Sequence, residues 1–339
     1  MKKKLLSVLL VSSMVLSLAA CGSTSSDNTS ATTTDAETTT ATGTDTTAAT
    51  TDAAATDTAT GSNTGVINVC LASEPATLDP ALNSSVDGAT MITHLFSGLA
   101  KWGLDANGNL EIQPDCAEEL VEGVVNDDGT VTYTYTLRDG LTWSDGQAVT
   151  AGDFVYAWNR AAGQALAADY GYMFEVVDGY ADMWADGATG DETLNVTAID
   201  DKTLEVQLNV PVSYFLSLMY FPTFYPVNEA FFNECGDTFA TSPETVLSNG
   251  AFVLDDYEPA ATAFHLTKNE DYYDAATVSL TGLSYQVIQD SQTALMSYQT
   301  GDLDITLVNG DQVDQVEDDP EFASIGAGYL WYVTPNIKE

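Results

Sequence analysis

Residues 22–65 hold eighteen threonines and six acids in forty-four positions, with no aromatic residue and no Leu, Ile, Val or Met. A stretch with so little apolar surface cannot offset the entropy of ordering its backbone, so it reads as an extended, disordered leash. Every packed element must therefore come from residue 66 onward. The segment from Val66 to Glu339, roughly 270 residues, suffices for one large or two medium cores. It is rich in Tyr, Val, Leu and Phe, shows no internal repeat, and has no further apolar run of membrane-spanning length.

Upstream of the leash stand Lys2, Lys3 and Lys4, then an apolar run from Leu5 to Ala20 that ends Leu18-Ala19-Ala20-Cys21. A basic start, a short apolar core and small residues at its exit describe an export signal over residues 1–20 rather than a membrane span. The cysteine directly after the small residues resembles the lipobox of bacterial lipoproteins. That resemblance implies lipidation of Cys21 as the mature N-terminus, with two acyl chains giving a stable anchor. The chain is thus expected on the extracellular face of the cell membrane, exported and lipid-anchored, with residues 21–65 as lipidated Cys and linker.

The chain carries nine basic residues against fifty acids. Loss of the signal leaves six basic residues and a net charge of about −44. Nucleic acid is excluded as a partner, because phosphate binding needs clustered cations. Attraction of cationic ligands is open, beside the plainer reading that acidity keeps an exported surface soluble. Cys70, Cys116 and Cys235 remain besides Cys21. Their odd number leaves either one disulfide or three buried thiols, and no C-x-x-C spacing suggests zinc or redox chemistry.

Val66 to Ala72 reads as a short strand. Thr90 to Leu99 carries apolar residues at helical spacing. Val131, Tyr133, Tyr135 and Leu137 alternate with threonines, the mark of a half-buried antiparallel strand behind an Asp127-Asp128-Gly129 turn. Thr150 and Asp153 resemble a capping box opening a helix through Arg160, with Phe154, Val155 and Trp158 as its apolar stripe. Residues 178–193 read as a surface insertion. Leu194–Ile199 and Thr203–Leu208 read as a hairpin around Asp200-Asp201, and Ser213–Tyr220 as a short helix. Strands are expected at 251–257, 262–267, 280–289 and 304–308, and a helix at 291–300 stopped by Gly301. The mixture lacks a strict βαβ rhythm and points to a mixed α/β body with more than one lobe.

Chemistry is sparse. His94 lies in an apolar helix and His265 in an alternating strand, neither with a metal-ligand spacing, so no metal and no cofactor is expected. Asp105–Asn109 fails the calcium-loop pattern, since Leu110 and Cys116 stand where glycine and glutamate belong. It reads as a plain turn. Acid pairs such as Glu118/Glu119 and Asp127/Asp128 occur by chance among fifty acids, and no serine-hydrolase, zinc-protease, P-loop or dinucleotide motif is present. A binding protein is favoured over an enzyme.

The block NDDGTVTYTYTLRDGLTWSDGQAVTAGDFVYAWNRA (126–161) resembles the signature of the large extracellular solute-binding proteins of family 5, which serve peptide ABC transporters. So do LASEPATLDPAL (71–82), HLFSGLAKW (94–102), SNGAFVL (248–254) and the segments 196–228 and 269–305, in the same order. The likeness runs over essentially all of residues 66–308 and is closest to the oligopeptide-binding, OppA-like branch.

This resemblance implies a periplasmic-binding-protein-like type II fold, two lobes closing on a cleft with an extra subdomain. Residues 66–97 and 223–328 would form the first lobe, 98–222 the inserted subdomain, and 329–339 the start of a crossover to a second lobe. The chain would be C-terminally truncated, with that lobe largely missing. The family's aspartate for the peptide's free amino group would lie there, and no residue here inherits its role. The resemblance further implies an oligopeptide ligand held by backbone bonds as an added strand, with side chains in roomy watery pockets. ABC-transporter permease subunits would be the partners, and a monomer is expected. It places Ser84, Ser85, Val86 and Tyr170 at cleft-lining positions, with Asn309 beside Leu307, Val308 and Tyr329 as further candidates. Trp143, Tyr156 and Trp158 read as packing residues rather than site residues. Rival readings are a receptor for another solute (dipeptide, oligosaccharide or metal chelate), a surface hydrolase, or an adhesive lipoprotein.

Overall fold

The structure, a computed structural model, describes residues 65–258 and 260–324. The expected export signal, Cys21, the expected linker up to residue 64 and the expected crossover with Tyr329 lie outside the described residues.

Strand β1 (Val66–Leu71) leads through a loop into helix α1 (Val86–Leu95). Strands β2 (Ala100–Leu104) and β3 (Leu110–Pro114) form a hairpin, followed by β4 (Val124–Val125) and β5 (Val131–Thr136). Helices α2 (Ala151–Ala162) and α3 (Tyr180–Met183) precede strands β6 (Val196–Asp200) and β7 (Thr203–Leu208). Short helices α4 (Phe215–Leu218) and α5 (Glu229–Cys235) lead to strands β8 (Phe252–Asp256), β9 (Ala263–Lys268) and β10 (Gly282–Val287), and α6 (Ser291–Thr300) follows.

Two four-stranded sheets result, in the orders β1-β10-β9-β8 and β4-β5-β7-β6. The second is antiparallel throughout, with Val131 opposite Leu208, Tyr133 opposite Val206 and Tyr135 opposite Leu204. These six side chains are buried and the intervening threonines of β5 face outward, as the period-2 pattern dictates. Helix α2 covers that face with Phe154, Ala157, Trp158 and Ala161. Its start is fixed by the predicted capping box: the Thr150 N–H donates to the Asp153 carboxylate at 2.8 Å. Trp143 and Trp158 are both fully buried, and Tyr156 is half-buried against Phe232.

In the first sheet β1 runs parallel to β10, while β9 is antiparallel to both its neighbours. Helix α1 packs beside β8 and buries Met91, Ile92 and Leu95. Gly250 makes this contact feasible. Its N–H donates to the Leu95 carbonyl at 2.9 Å, and a Cβ there would stand 2.7 Å from backbone atoms of Leu95 and Phe96.

Four expectations need correction. The helix expected at 90–99 spans 86–95. Ser85 caps it a turn earlier than the apolar stripe suggests, and Ser97 leaves it to exchange hydrogen bonds with the Asn249 side chain at 3.0 Å in each direction. The strand expected at 304–308 reduces to one parallel bridge between Ile305 and Val69. The Asp304 carboxylate there takes the Asn68 N–H and side-chain amide, and Leu307 is exposed. The stretch 178–193 is not wholly superficial, because Met183 is buried and the Trp184 indole donates to the Ala162 carbonyl. The three cysteines are all free, and only Cys116 is buried.

Candidate functional site

Parallel strands β1 and β10 end together, and α1 begins at the same end of the sheet. In α/β sheets ligands bind outside the carboxyl ends of the strands. Here Asp87, in the first turn of α1, binds the chain leaving β1. Its carboxylate accepts the Ser73 N–H at 2.8 Å, the Ser73 hydroxyl at 2.5 Å and the Ala72 N–H at 3.3 Å. On the other side of β1, Cys70 donates its N–H to the Ile305 carbonyl at 3.1 Å. The Cys70 thiol lies near the Thr306 hydroxyl, the Ile288 carbonyl and Asp87, and burial is the main cause that pushes it up.

The loop between Leu71 and α1 folds around Asp79. The Asp79 backbone carbonyl accepts Leu82 and Asn83 N–H groups at 3.2 and 3.0 Å, and its carboxylate accepts the Ala81 N–H at 3.0 Å. That carboxylate also holds Arg160 of α2 in a two-pronged pair, at 3.0 and 2.5 Å. Phe232 lies under the guanidinium at 4.3 Å. Asn83, buried, accepts from the Ser85 N–H and hydroxyl and donates to the Ser85 carbonyl. The Ser85 hydroxyl in turn accepts the Gly88 N–H at 3.1 Å.

Ser85 is therefore an N-cap whose side chain is engaged within the protein, flanked by exposed Ser84 and by Val86 at 73% exposure. What this turn offers outward is backbone and small side chains. Asn309 follows the Ile305 bridge by four residues and is exposed. It donates its N–H to the Gln312 side chain at 3.0 Å, and the Gln312 N–H returns to its carbonyl at 2.9 Å. Buried Gln312 ties this segment back to Gln292 of α6. Ser84–Val86 and the segment leading to Asn309 thus belong to one end of one sheet.

Tyr170 belongs to the other sheet's surroundings. It is half-buried, edge-on to Phe221 at 4.9 Å and tilted against Tyr172 at 6.5 Å. No hydrogen bond or ring contact among the described residues joins it to Ser84–Val86 or Asn309.

Charge at this end of the sheet is one-sided. Asp87, Asp304 and Asp311 enter no ion pair with Lys or Arg among the described residues. The five described cations are engaged with other partners: Lys101 with Asp115, Arg160 with Asp79 in the loop before α1, Lys202 with Asp139, Lys268 with Glu270, and Arg138 on the Asp115 carbonyl. No group of three or more His, Cys, Asp or Glu among the described residues could hold a metal ion. His94 is enclosed by α1 and the sheet, its Nδ1 at 2.6 Å from the Thr90 carbonyl and 3.1 Å from the Tyr285 hydroxyl. No helix among the described residues is long and apolar enough to cross a membrane.

The family described as bacterial extracellular solute-binding proteins, family 5, middle region, matches residues 111–339. The chain belongs to that family. Among curated relatives, the probable deoxycholate-binding periplasmic protein YgiS of Escherichia coli (strain K12) is 36% identical over 72% of this chain and 44% of its own length. The oligopeptide-binding protein OppA of Bacillus subtilis (strain 168) is 33% identical over 70% of this chain and 42% of its own. The solved structure of Listeria monocytogenes OppA bound to peptide superposes with a TM-score of 0.67 at 35% identity, covering 76% of this chain and 49% of that one. The family-5 chain thus has the mixed α/β, periplasmic-binding-protein-like type II fold, and it spans about half the length of the curated relatives it matches.

Reading the sequence for site residues missed Asp79 and Arg160. Both stand in quoted family blocks, LDP and YAWNR, but they are 81 residues apart, and no local pattern announces that they meet.

Proposed function

We propose that this chain belongs to a lipid-anchored receptor on the outer face of the cell membrane. It captures oligopeptides and passes them to an ABC-transporter permease, working as a monomer and without catalysis. The single observation behind this reading is the Ser84–Val86 turn. It is a backbone-rich, outward-facing segment at the carboxyl end of parallel strands, in a family that includes a relative solved with peptide bound. Main-chain groups are common to all peptides, so recognition through them is indifferent to sequence. The lobes are assigned as residues 66–97 and 223–328 for the first and 98–222 for the inserted subdomain. Tyr170 and Asn309 are assigned to the ligand's surroundings with Ser84, Ser85 and Val86.

A second reading, an amphipathic steroid acid as ligand, is favoured by the YgiS relationship alone. The unpaired acids at the sheet end oppose a carboxylate ligand. Differential scanning calorimetry separates the two. A ligand bound by the native state raises the melting point, by about 2.7 kcal/mol in stability at one hundred times its dissociation constant. Tri- to pentapeptides should raise it and deoxycholate should not; the reverse result would replace peptide with steroid. For the anchor, Cys21→Ser should move the protein from the membrane fraction of its native host to the medium. Retention at the membrane would sink the lipid assignment.

A further inference from the structure

We infer that Arg160, a helix residue of the segment assigned as the inserted subdomain, is a positioning residue for the ligand-facing Ser84–Val86 turn and acts through Asp79. This inference rests on the receptor reading above.

The chain of contacts is continuous. Both carboxylate oxygens of Asp79 are held by Arg160, and one also takes the Ala81 N–H. The Asp79 carbonyl closes the turn to Leu82 and Asn83. Asn83 then fixes the backbone and hydroxyl of Ser85, which caps α1. The carboxylate is almost wholly buried and Arg160 only 11% exposed. A buried carboxylate left without its cation does not stay; it turns toward water. That change releases the Ala81 N–H and loosens the turn that orients Asn83. Ser84 and Val86 are exposed, so the order of their backbone comes from Asn83 and Ser85 on the inward side. The pairing is specific to arginine. The guanidinium presents a planar fork to the carboxylate while its face rests on Phe232, and the point charge of lysine matches neither contact.

The test compares wild type with Arg160→Lys, Arg160→Gln and Asp79→Asn. Lys202→Met serves as control, since it removes an exposed ion pair with Asp139. Amide hydrogen exchange is read on fragments spanning 78–88 and, as a global reference, 131–136 and 203–208. Peptide affinity is read by calorimetry well below each variant's melting temperature. The three variants should exchange about tenfold faster across 78–88 with the reference strands unchanged. They should also bind peptide about tenfold more weakly, with Lys202→Met like wild type. Unchanged exchange at 78–88 overturns the inference, as does a uniform rise everywhere, which would make the pair a general fold contact. A local rise with undiminished affinity also overturns it. If wild type binds no peptide, the receptor reading falls, and the exchange data alone then decide whether Arg160 sets the turn.

Discussion

His94 shows how little of a residue's role its type reveals. Imidazole invites a catalytic or metal-binding reading, yet here it bridges α1 and the first sheet. Because a carbonyl can only accept, the 2.6 Å contact with Thr90 assigns the proton to Nδ1, and Phe252 and Tyr285 lie edge-on to the ring. Enclosure disfavours the cation and lowers the His94 pKa below its ordinary value of 6.5. The unfolded chain therefore takes up a proton at this position before the folded chain does. Stability from this residue is fully present above pH 6.5 and declines as pH falls below it, with a limiting slope of about 1.4 kcal/mol per pH unit. Replacing His94 with Gln keeps a polar group but removes the titration. Urea unfolding at pH 7.5 and 5.5 should show the acid loss shrinking in the variant, by at most about 1.4 kcal/mol. Identical pH dependence in both proteins would show that His94 is not the titrating group.

At the scale of elements, those with a strong local signal were legible and those defined by distant partners were not. The β5 alternation, the hairpin around Asp200-Asp201, the Thr150 capping box and the Gly301 stop all follow from short-range rules. Gly301 adopts φ +82° and closes α6 as a left-handed cap. The β2–β3 hairpin escaped notice because Leu104 and Leu110, opposite each other, are both exposed and give no buried face to detect. The expected strand at 304–308 failed for a related reason: its alternation was real, but Asp304 and Ile305 find only Asn68 and Cys70 to pair with. The capping box of α2 invites a graded test. The Asp153 carboxylate accepts from the Thr150 N–H, from the Thr150 hydroxyl at 3.2 Å and from the Trp143 indole at 3.4 Å, and burial, the leading cause, raises its pKa. Asp153→Ala leaves buried donors without an acceptor, at about 1–3 kcal/mol each. Asp153→Asn retains an acceptor oxygen and gives up a charge that burial already disfavours. Denaturant midpoints should rank wild type above Asn above Ala. Equal losses in the two variants would mean that charge, not hydrogen bonding, holds the box.

For the molecule as a whole, family likeness carried the fold and local chemistry did not carry the site. The W-S-D-G…D-F-V-Y-A-W block is long enough to identify an architecture, but its tryptophans are spent on packing. The groups that shape the Ser84–Val86 turn come together from the loop after β1, from α1, from α2 and from Phe232 of α5, and only tertiary structure joins them. Charge is different, because it is legible from composition and acts globally. Fifty acids face nine cations, and the described cations already have partners in or near the core or on exposed acids. The remaining carboxylates repel one another, and a compact state gathers them closer than an unfolded one does. Salt should therefore stabilise this protein, in contrast to one held by surface ion pairs. Between about 0.01 M and 1 M salt the screening length falls from about 30 Å to about 3 Å. The buried Asp79–Arg160 pair is sheltered from that screening, whereas the exposed Lys202–Asp139 pair has little to lose. The urea midpoint should rise steadily with sodium chloride over this range, most steeply at the dilute end where repulsion is least screened. A flat or falling midpoint would mean that the acids are dispersed widely enough for their repulsion not to matter to folding.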